Sequence, residues 1–227
     1  MKQSTKITAL AVAILLTTLL WSSVVLFPLR ILSVFFHESS HALATLATEG
    51  EVREFSINSN EGGHVLSEGG NYLLTANAGY LGNLLIGCTI LLLTARTSLD
   101  KSLCWVLGLG IIAIAAYYIR SFWALGTSLA IGGAFILIAI LAKEIWCKWI
   151  LILVGLHSSL YAIGDITSDV LLRSSQRSDA WYLAQSTGIP VLVWGVGWAS
   201  LSLVCLYFAL RWSLKPEAGM WSVPSIK

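Results

Sequence analysis

Long apolar runs constrain this chain more than any other feature of its sequence. A helix needs about 20 apolar residues to cross a bilayer, and backbone in lipid must satisfy its own hydrogen bonds, which favours helices. Runs of about this length occupy residues 7–27, 31–47, 72–94, 103–119, 125–142, 145–163 and 189–212. The sequence therefore predicts an all-α membrane protein, a polytopic bundle of about six to seven transmembrane helices.

The composition agrees with a membrane location. Charged residues make up 11% of the 227 residues and hydrophobic residues 56%, whereas soluble domains carry about 25% charged residues. We expect an integral, multi-pass protein of a cell inner membrane or an organellar membrane, with the lipid bilayer around it. A formal net charge of +2 provides no basic face for a phosphate backbone, which excludes nucleic acid as a partner.

A polar segment at residues 48–71 separates the second and third runs. Val52, Phe55 and Ile57 precede an Asn/Gly-rich turn, after which His64, Val65 and Leu66 follow. Apolar residues on both sides of such a turn predict a short β-hairpin loop after the second helix.

The second run contains the sequence FFHESSHALATL, in which His37, Glu38 and His41 have HExxH spacing. Residues four apart on a helix are rotated by only about 40° from each other, so both imidazoles can face one Zn²⁺ ion with Glu38 beside it as general base. Ionisable groups are costly within a bilayer, about 2.5–3.5 kcal/mol for an aspartate at mid-helix. Zinc binding explains them best; a polar face lining a water-filled cavity or a helix interface is the alternative.

A catalytic zinc takes three protein ligands, so the motif lacks one. Asp165 and Asp169, in LYAIGDITSDV, lie four residues apart at the end of the sixth run. One of them is expected to ligate the metal and the other to orient a histidine. His157 is a less favoured ligand. The alternative is that these aspartates cap the following loop or pair with Arg173 and Arg177.

The third run contains a stripe of small residues in ANAGYLGNLLIG. Gly79, Gly82 and Gly87 predict close packing of this helix against its neighbours. Asn77 and Asn83 carry amides that need partners inside the membrane, or that donate a hydrogen bond to a substrate carbonyl.

Together these motifs resemble the site-2 protease family of intramembrane zinc metalloproteases, in its small bacterial and plant branch. The resemblance is carried by HESSHA, the loop glycines Gly62 and Gly63, AGYLGN, and a later aspartate segment followed by Ser178, Asp179 and Ala180. It extends over about residues 33–198, and HExxH and AGYLG are its most specific parts.

The resemblance implies that His37 and His41 are zinc ligands and that Glu38 is the general base. The third family ligand is an aspartate on a later helix, usually within Asn-Pro-x-x-x-Leu-Asp-Gly. Here the sequence reads YAIGDITSD, which leaves Asp165 and Asp169 both open. The family also has a strand-rich loop near its active site, where residues 48–71 lie in this chain. An exposed edge there is suited to pairing with an unwound substrate strand.

The implied activity is that of a zinc metalloendopeptidase, which hydrolyses peptide bonds of transmembrane protein substrates through a zinc-activated water. Accessory membrane proteins are further possible partners. A non-catalytic zinc-binding relative and a zinc-dependent lipid amide hydrolase are the alternatives.

The expected domains are an N-terminal transmembrane anchor at 1–30, retained because no small-residue cleavage site follows it, a metalloprotease core at 31–188, and a last transmembrane helix with a polar tail at 189–227.

Overall fold

The computed structural model describes residues 3–172 and 178–215, and within them the chain is mostly helical. The helices are α1 (Gln3–Leu19), α2 (Phe27–Ala47), α3 (Tyr72–Arg96), α4 (Asp100–Tyr118), α5 (Phe122–Leu141), α6 (Glu144–Thr167), α7 (Asp179–Thr187) and α8 (Val191–Leu214). A 3-10 turn at Val24–Leu26 precedes α2, and a π-helical turn at Ser168–Leu172 extends α6. The strands are β1 (Glu51–Ile57) and β2 (Gly63–Glu68).

Among the described residues, five helices are long and apolar enough to cross a membrane: α3, α4, α5, α6 and α8. These helices coincide with five of the predicted runs, and the chain is a helical membrane protein as expected. The motif helix α2 is not one of the five, so the full count of six to seven crossings stays a prediction. The polar tail beyond residue 215, together with Arg173 and Arg177, lies outside the described residues.

The first apolar run does not form one continuous helix. Helix α1 ends at Leu19, and the Ser23 side chain accepts a hydrogen bond from the Val25 amide, 3.1 Å away, to start the 3-10 turn. Serine favours such caps because its hydroxyl competes for nearby backbone groups. The expected span at 7–27 is therefore divided between α1 and the connection to α2.

The predicted hairpin is confirmed. β1 and β2 pair antiparallel, with Ile57 opposite Gly63 and Phe55 opposite Val65. Val52, Phe55 and Ile57 are buried, and a register irregularity between Val52 and Glu54 lies within the three-residue step from Val52 to Phe55. The Phe55 ring packs on Phe35 of α2 at a centroid distance of 5.5 Å. The hairpin is thus anchored to the helix that carries the HExxH motif.

Two glycines allow α3 and α6 to pack backbone against backbone. A Cβ atom added to Gly155 would lie 2.8 Å from the Gly87 carbonyl oxygen and 2.9 Å from Leu91 Cγ. Contacts of that length do not occur at real Cβ atoms, so the two glycines fix how closely these helices approach. This interface aligns α6 with the helix that borders the site described below.

We expect Gly155→Ala to lower the free energy of unfolding by about 1–3 kcal/mol, because the added methyl group forces the two backbones apart. Gly133→Ala on α5 is the matched control, since no heavy atom outside its own helix lies within 4 Å of the added Cβ. Replacing an interior helix glycine by alanine there is expected to stabilise the chain by about 0.5–1 kcal/mol. Denaturation in detergent, followed by tryptophan fluorescence, measures both. Equal stability of the two variants would contradict this account of the interface.

Candidate metal centre

Three side chains from two helices converge on one point. The Nε2 atoms of His37 and His41 lie 3.0 Å apart on α2. Asp179, the first residue of α7, places its Oδ2 atom 3.2 Å from His37 Nε2 and 3.1 Å from His41 Nε2. Among the described residues, these three form the group whose ligand atoms are close enough to hold one metal ion.

The spacing of these atoms fits a divalent metal such as zinc. Tetrahedral ligands about 2.0–2.1 Å from zinc are separated from one another by about 3.3 Å, close to the three separations found here. Asp179 Oδ2 is buried and accepts no hydrogen bond from the described residues. A buried carboxylate oxygen without a donor is unfavourable in a protein interior, and a bound cation would remove that penalty.

The hydrogen bonding of His41 also suits a metal ligand. Its Nδ1 atom lies 2.7 Å from the Thr75 carbonyl oxygen, which can only accept, so Nδ1 carries the proton. Nε2 then keeps its lone pair and faces His37 and Asp179. A backbone carbonyl that orients a ligating imidazole in this way is a regular feature of metal sites.

Ser178 begins α7 and thereby places Asp179. Its side chain accepts a hydrogen bond from the Trp181 amide, 3.3 Å away, which is the usual arrangement at a helix N-terminus. Burial raises the pKa of Asp179, but the neighbouring His41 and His37 side chains outweigh that effect and hold this pKa well below its ordinary value. The carboxylate is therefore available in its ionised form.

Glu38 lies beside the group and faces a cavity of about 700 Å³. The residue is only 5% exposed, and the hairpin covers it closely. A Cβ atom at Gly63 would lie 2.6 Å from Glu38 Oε1 and 2.7 Å from its Cγ. The predicted Gly-Gly loop therefore lies directly against the predicted general base.

The small-residue stripe of α3 passes next to the imidazoles. A Cβ atom at Gly79 would collide with Nε2 of both His37 and His41. The adjacent Tyr80 ring packs edge-on against His37, with centroids 4.8 Å apart, and its hydroxyl donates a hydrogen bond to Asp169. Gly79 thus gives the metal-binding group its space, and Tyr80 supports one side of it.

Asp165 and Asp169 line the same cavity, as their shared helical face predicted. They are not part of the group formed by His37, His41 and Asp179. Whether either ligates a metal stays a prediction. Asp179 was not among the predicted ligands, although the Ser-Asp-Ala element of the family resemblance contains it.

The other polar groups predicted from the sequence are not part of the group formed by His37, His41 and Asp179. His157 is fully buried, and its ring packs near Trp21 at a centroid distance of 5.5 Å. His64 is exposed on the hairpin, where it lines the same cavity and lies 3.2 Å from a carboxylate oxygen of Glu54. Asn77 accepts a hydrogen bond of 2.8 Å from Trp198 Nε1, which meets the expectation that its amide needs a partner. The expectation is not met at Asn83, whose buried amide has no hydrogen-bond partner among the described residues.

Gly79→Ala is expected to weaken zinc binding by about 10–100-fold, the range found when groups that orient metal ligands are altered. The added methyl group displaces both imidazoles from their common point. Gly110→Ala on α4 is the control, because its Cβ would meet no heavy atom of another part of the chain within 4 Å. Competition with a chelator of known affinity measures the difference, and equal affinities in the two variants would show that Gly79 does not shape the site.

A comparison with protein families identifies one match. The family model described as Peptidase M50B-like matches residues 9–209, a range that includes all three residues of the metal-binding group and Glu38. No curated protein and no solved structure matches the chain.

Proposed function

The chain belongs to the Peptidase M50B-like family, which is the site-2 protease family, and from this membership and its metal-binding group we propose that it is an intramembrane zinc metalloendopeptidase. The proposal takes His37, His41 and Asp179 as the zinc ligands and Glu38 as the general base. The sequence predicted Asp165 or Asp169 as the third zinc ligand, and the proposal assigns that role to Asp179 instead.

One observation carries the proposal. Two imidazole nitrogens and one carboxylate oxygen lie 3.0–3.2 Å from one another, and they border the cavity that Glu38 faces. Three protein ligands with one open position are the usual set of a catalytic zinc, whereas structural zinc sites close all four positions with protein ligands.

Zinc held by these ligands would polarise the scissile carbonyl and make a water molecule more acidic. Glu38 accepts a proton from the attacking water as the new carbon–oxygen bond forms. It then donates that proton to the amine nitrogen as the peptide carbon–nitrogen bond breaks. The burial of Glu38 under Gly63 limits the positions that its carboxylate can take, which favours this transfer.

The proposed substrate is an extended segment of a transmembrane protein. Residues 61–67 line the cavity in an unbroken run, and they include most of β2. Within the described residues β2 pairs only with β1, whereas β1 also meets Ile119 through an isolated bridge at Phe55. The outer edge of β2 therefore offers backbone groups to a strand laid beside it, the usual mode of peptide capture at a sheet edge.

The test uses the purified, zinc-loaded protein in liposomes, with a labelled transmembrane peptide and a lipid amide as parallel substrates. We expect about one zinc per chain and cleavage of the peptide alone. Cleavage of the lipid amide instead would support the lipid amide hydrolase. Bound zinc without cleavage of a panel of transmembrane peptides would support the non-catalytic relative, and either result would overturn the proposal.

A further inference from the structure

A buried arginine connects three parts of the chain near the cavity. Arg30, in the first turn of α2, is only 8% exposed. Its Nη1 atom donates to the carbonyl oxygens of Trp21 at 2.6 Å and of Ser23 at 2.9 Å, and its Nε atom donates to Glu61 Oε1 at 2.8 Å. One guanidinium thus joins the connection after α1, the start of α2 and the turn of the hairpin.

Glu61 occupies an unusual backbone position in that turn. Its φ angle is +64°, in the left-handed region where glycine is favoured over residues with a side chain. Glycines occupy the next two positions, 62 and 63. The residue at position 61 is nevertheless a glutamate, although glycine would adopt this φ angle more readily. A glutamate there has the side chain that reaches Arg30, at 2.8 Å.

The position of this turn fixes the part of the hairpin that faces the cavity. The Asn58 amide donates to the Gly62 carbonyl at 2.7 Å, which closes the turn. Two residues after Glu61, Gly63 lies against the Glu38 carboxyl group, and β2 begins. A shift of the turn would therefore move the start of the β2 edge relative to Glu38.

We infer that Arg30 and Glu61 are positioning residues for substrate, and that their ion pair holds the outer edge of β2 in register with Glu38. This inference rests on the proposed function, because it concerns how the same site receives an extended peptide. Edge pairing orders both strands, and a preformed edge lowers the entropy lost on binding. If the ion pair is broken and the turn is no longer held, the entropy lost on ordering the β2 edge is added to each binding event. The group formed by His37, His41 and Asp179 is left unchanged.

The variant Glu61→Gln tests this, because glutamine keeps the size and an acceptor oxygen but removes the charge. Binding of a fluorescent transmembrane peptide is measured in a Glu38→Gln background, where no cleavage interferes. We expect the Kd to rise about fivefold to tenfold, because the hydrogen bond from Arg30 is weakened when its acceptor loses the charge. In the active chain KM rises by a similar factor, kcat stays within twofold, and zinc content stays at the value of the parent chain.

Glu51→Gln is the matched control. Glu51 belongs to β1 of the same hairpin and pairs with Arg53 at 2.6 Å, outside the β2 edge and the Arg30 contacts. It is expected to leave Kd unchanged. Arg30→Gln supplies a second variant, which also removes the hydrogen bonds to the carbonyl oxygens of Trp21 and Ser23. Adding Glu61→Gln to Arg30→Gln should change Kd little further, because the ion pair is already broken.

Three outcomes would overturn the inference. They are unchanged peptide affinity in Glu61→Gln, an equal loss in Glu51→Gln, and loss of zinc in Glu61→Gln, which would assign the pair a role in the metal centre. Failure of the proposed function is recognised separately, since the parent chain would then bind zinc and peptide without cutting the peptide.

Discussion

Replacing Asp179 by alanine is expected to weaken zinc binding by more than about 100-fold, beyond the loss caused by altering an outer hydrogen-bond partner. The change removes the oxygen that lies 3.1–3.2 Å from both imidazoles and leaves two protein ligands for the metal. Metal analysis of the purified chain, followed by chelator competition, measures the effect.

The aspartates of α6 provide the matched controls for this experiment. Asp165→Ala and Asp169→Ala remove the same carboxyl group from the same cavity, and zinc binding should change by no more than about 10-fold in either. Asp179→Asn distinguishes a loss of metal binding from a disruption of α7. It preserves the shape of the first residue of α7 and removes its charge. Zinc lost from the Asp165 or Asp169 variant but retained by Asp179→Ala would restore the ligand predicted from sequence.

The helices were predictable from sequence because a lipid environment imposes both their length and their apolar character. Five of the predicted runs match spanning helices, and the hairpin follows from apolar residues on either side of an Asn/Gly-rich turn. The break after Leu19 was not predicted. It depends on a local serine cap and on the contacts of Arg30 with carbonyl groups of that connection, and hydropathy contains no signal of either.

The HExxH residues were predictable because helical spacing alone brings His37 and His41 to one face. Asp179 was not, because its approach depends on how α7 packs on other helices after a π-helical turn at the end of α6. Locally, Ser178 and Asp179 have the pattern of an ordinary helix start, a cap followed by an acidic first turn. That structural role conceals the metal-binding role that we propose for the carboxylate. The i, i+4 spacing of Asp165 and Asp169 correctly indicated a shared face toward the cavity, but spacing within one helix contains no information about a third helix.

Glu38→Gln is expected to lower the rate of peptide cleavage by about 10²–10⁴-fold, the contribution usual for a general acid or base. Glutamine has nearly the same volume, so it should preserve the tight contact with Gly63 and with it the position of the hairpin. It cannot accept the proton of the attacking water. Cleavage is followed with the labelled transmembrane peptide in liposomes, at equal zinc content in parent and variant.

The control for this change is Glu51→Gln, which alters an exposed hairpin glutamate that pairs with Arg53. It should cleave at the rate of the parent chain. Since His37, His41 and Asp179 are untouched in Glu38→Gln, retained zinc together with lost cleavage assigns the defect to proton transfer. A zinc-loaded Glu38→Gln chain that cleaves as fast as its parent would remove Glu38 from the mechanism, because no amide at that position can act as a base.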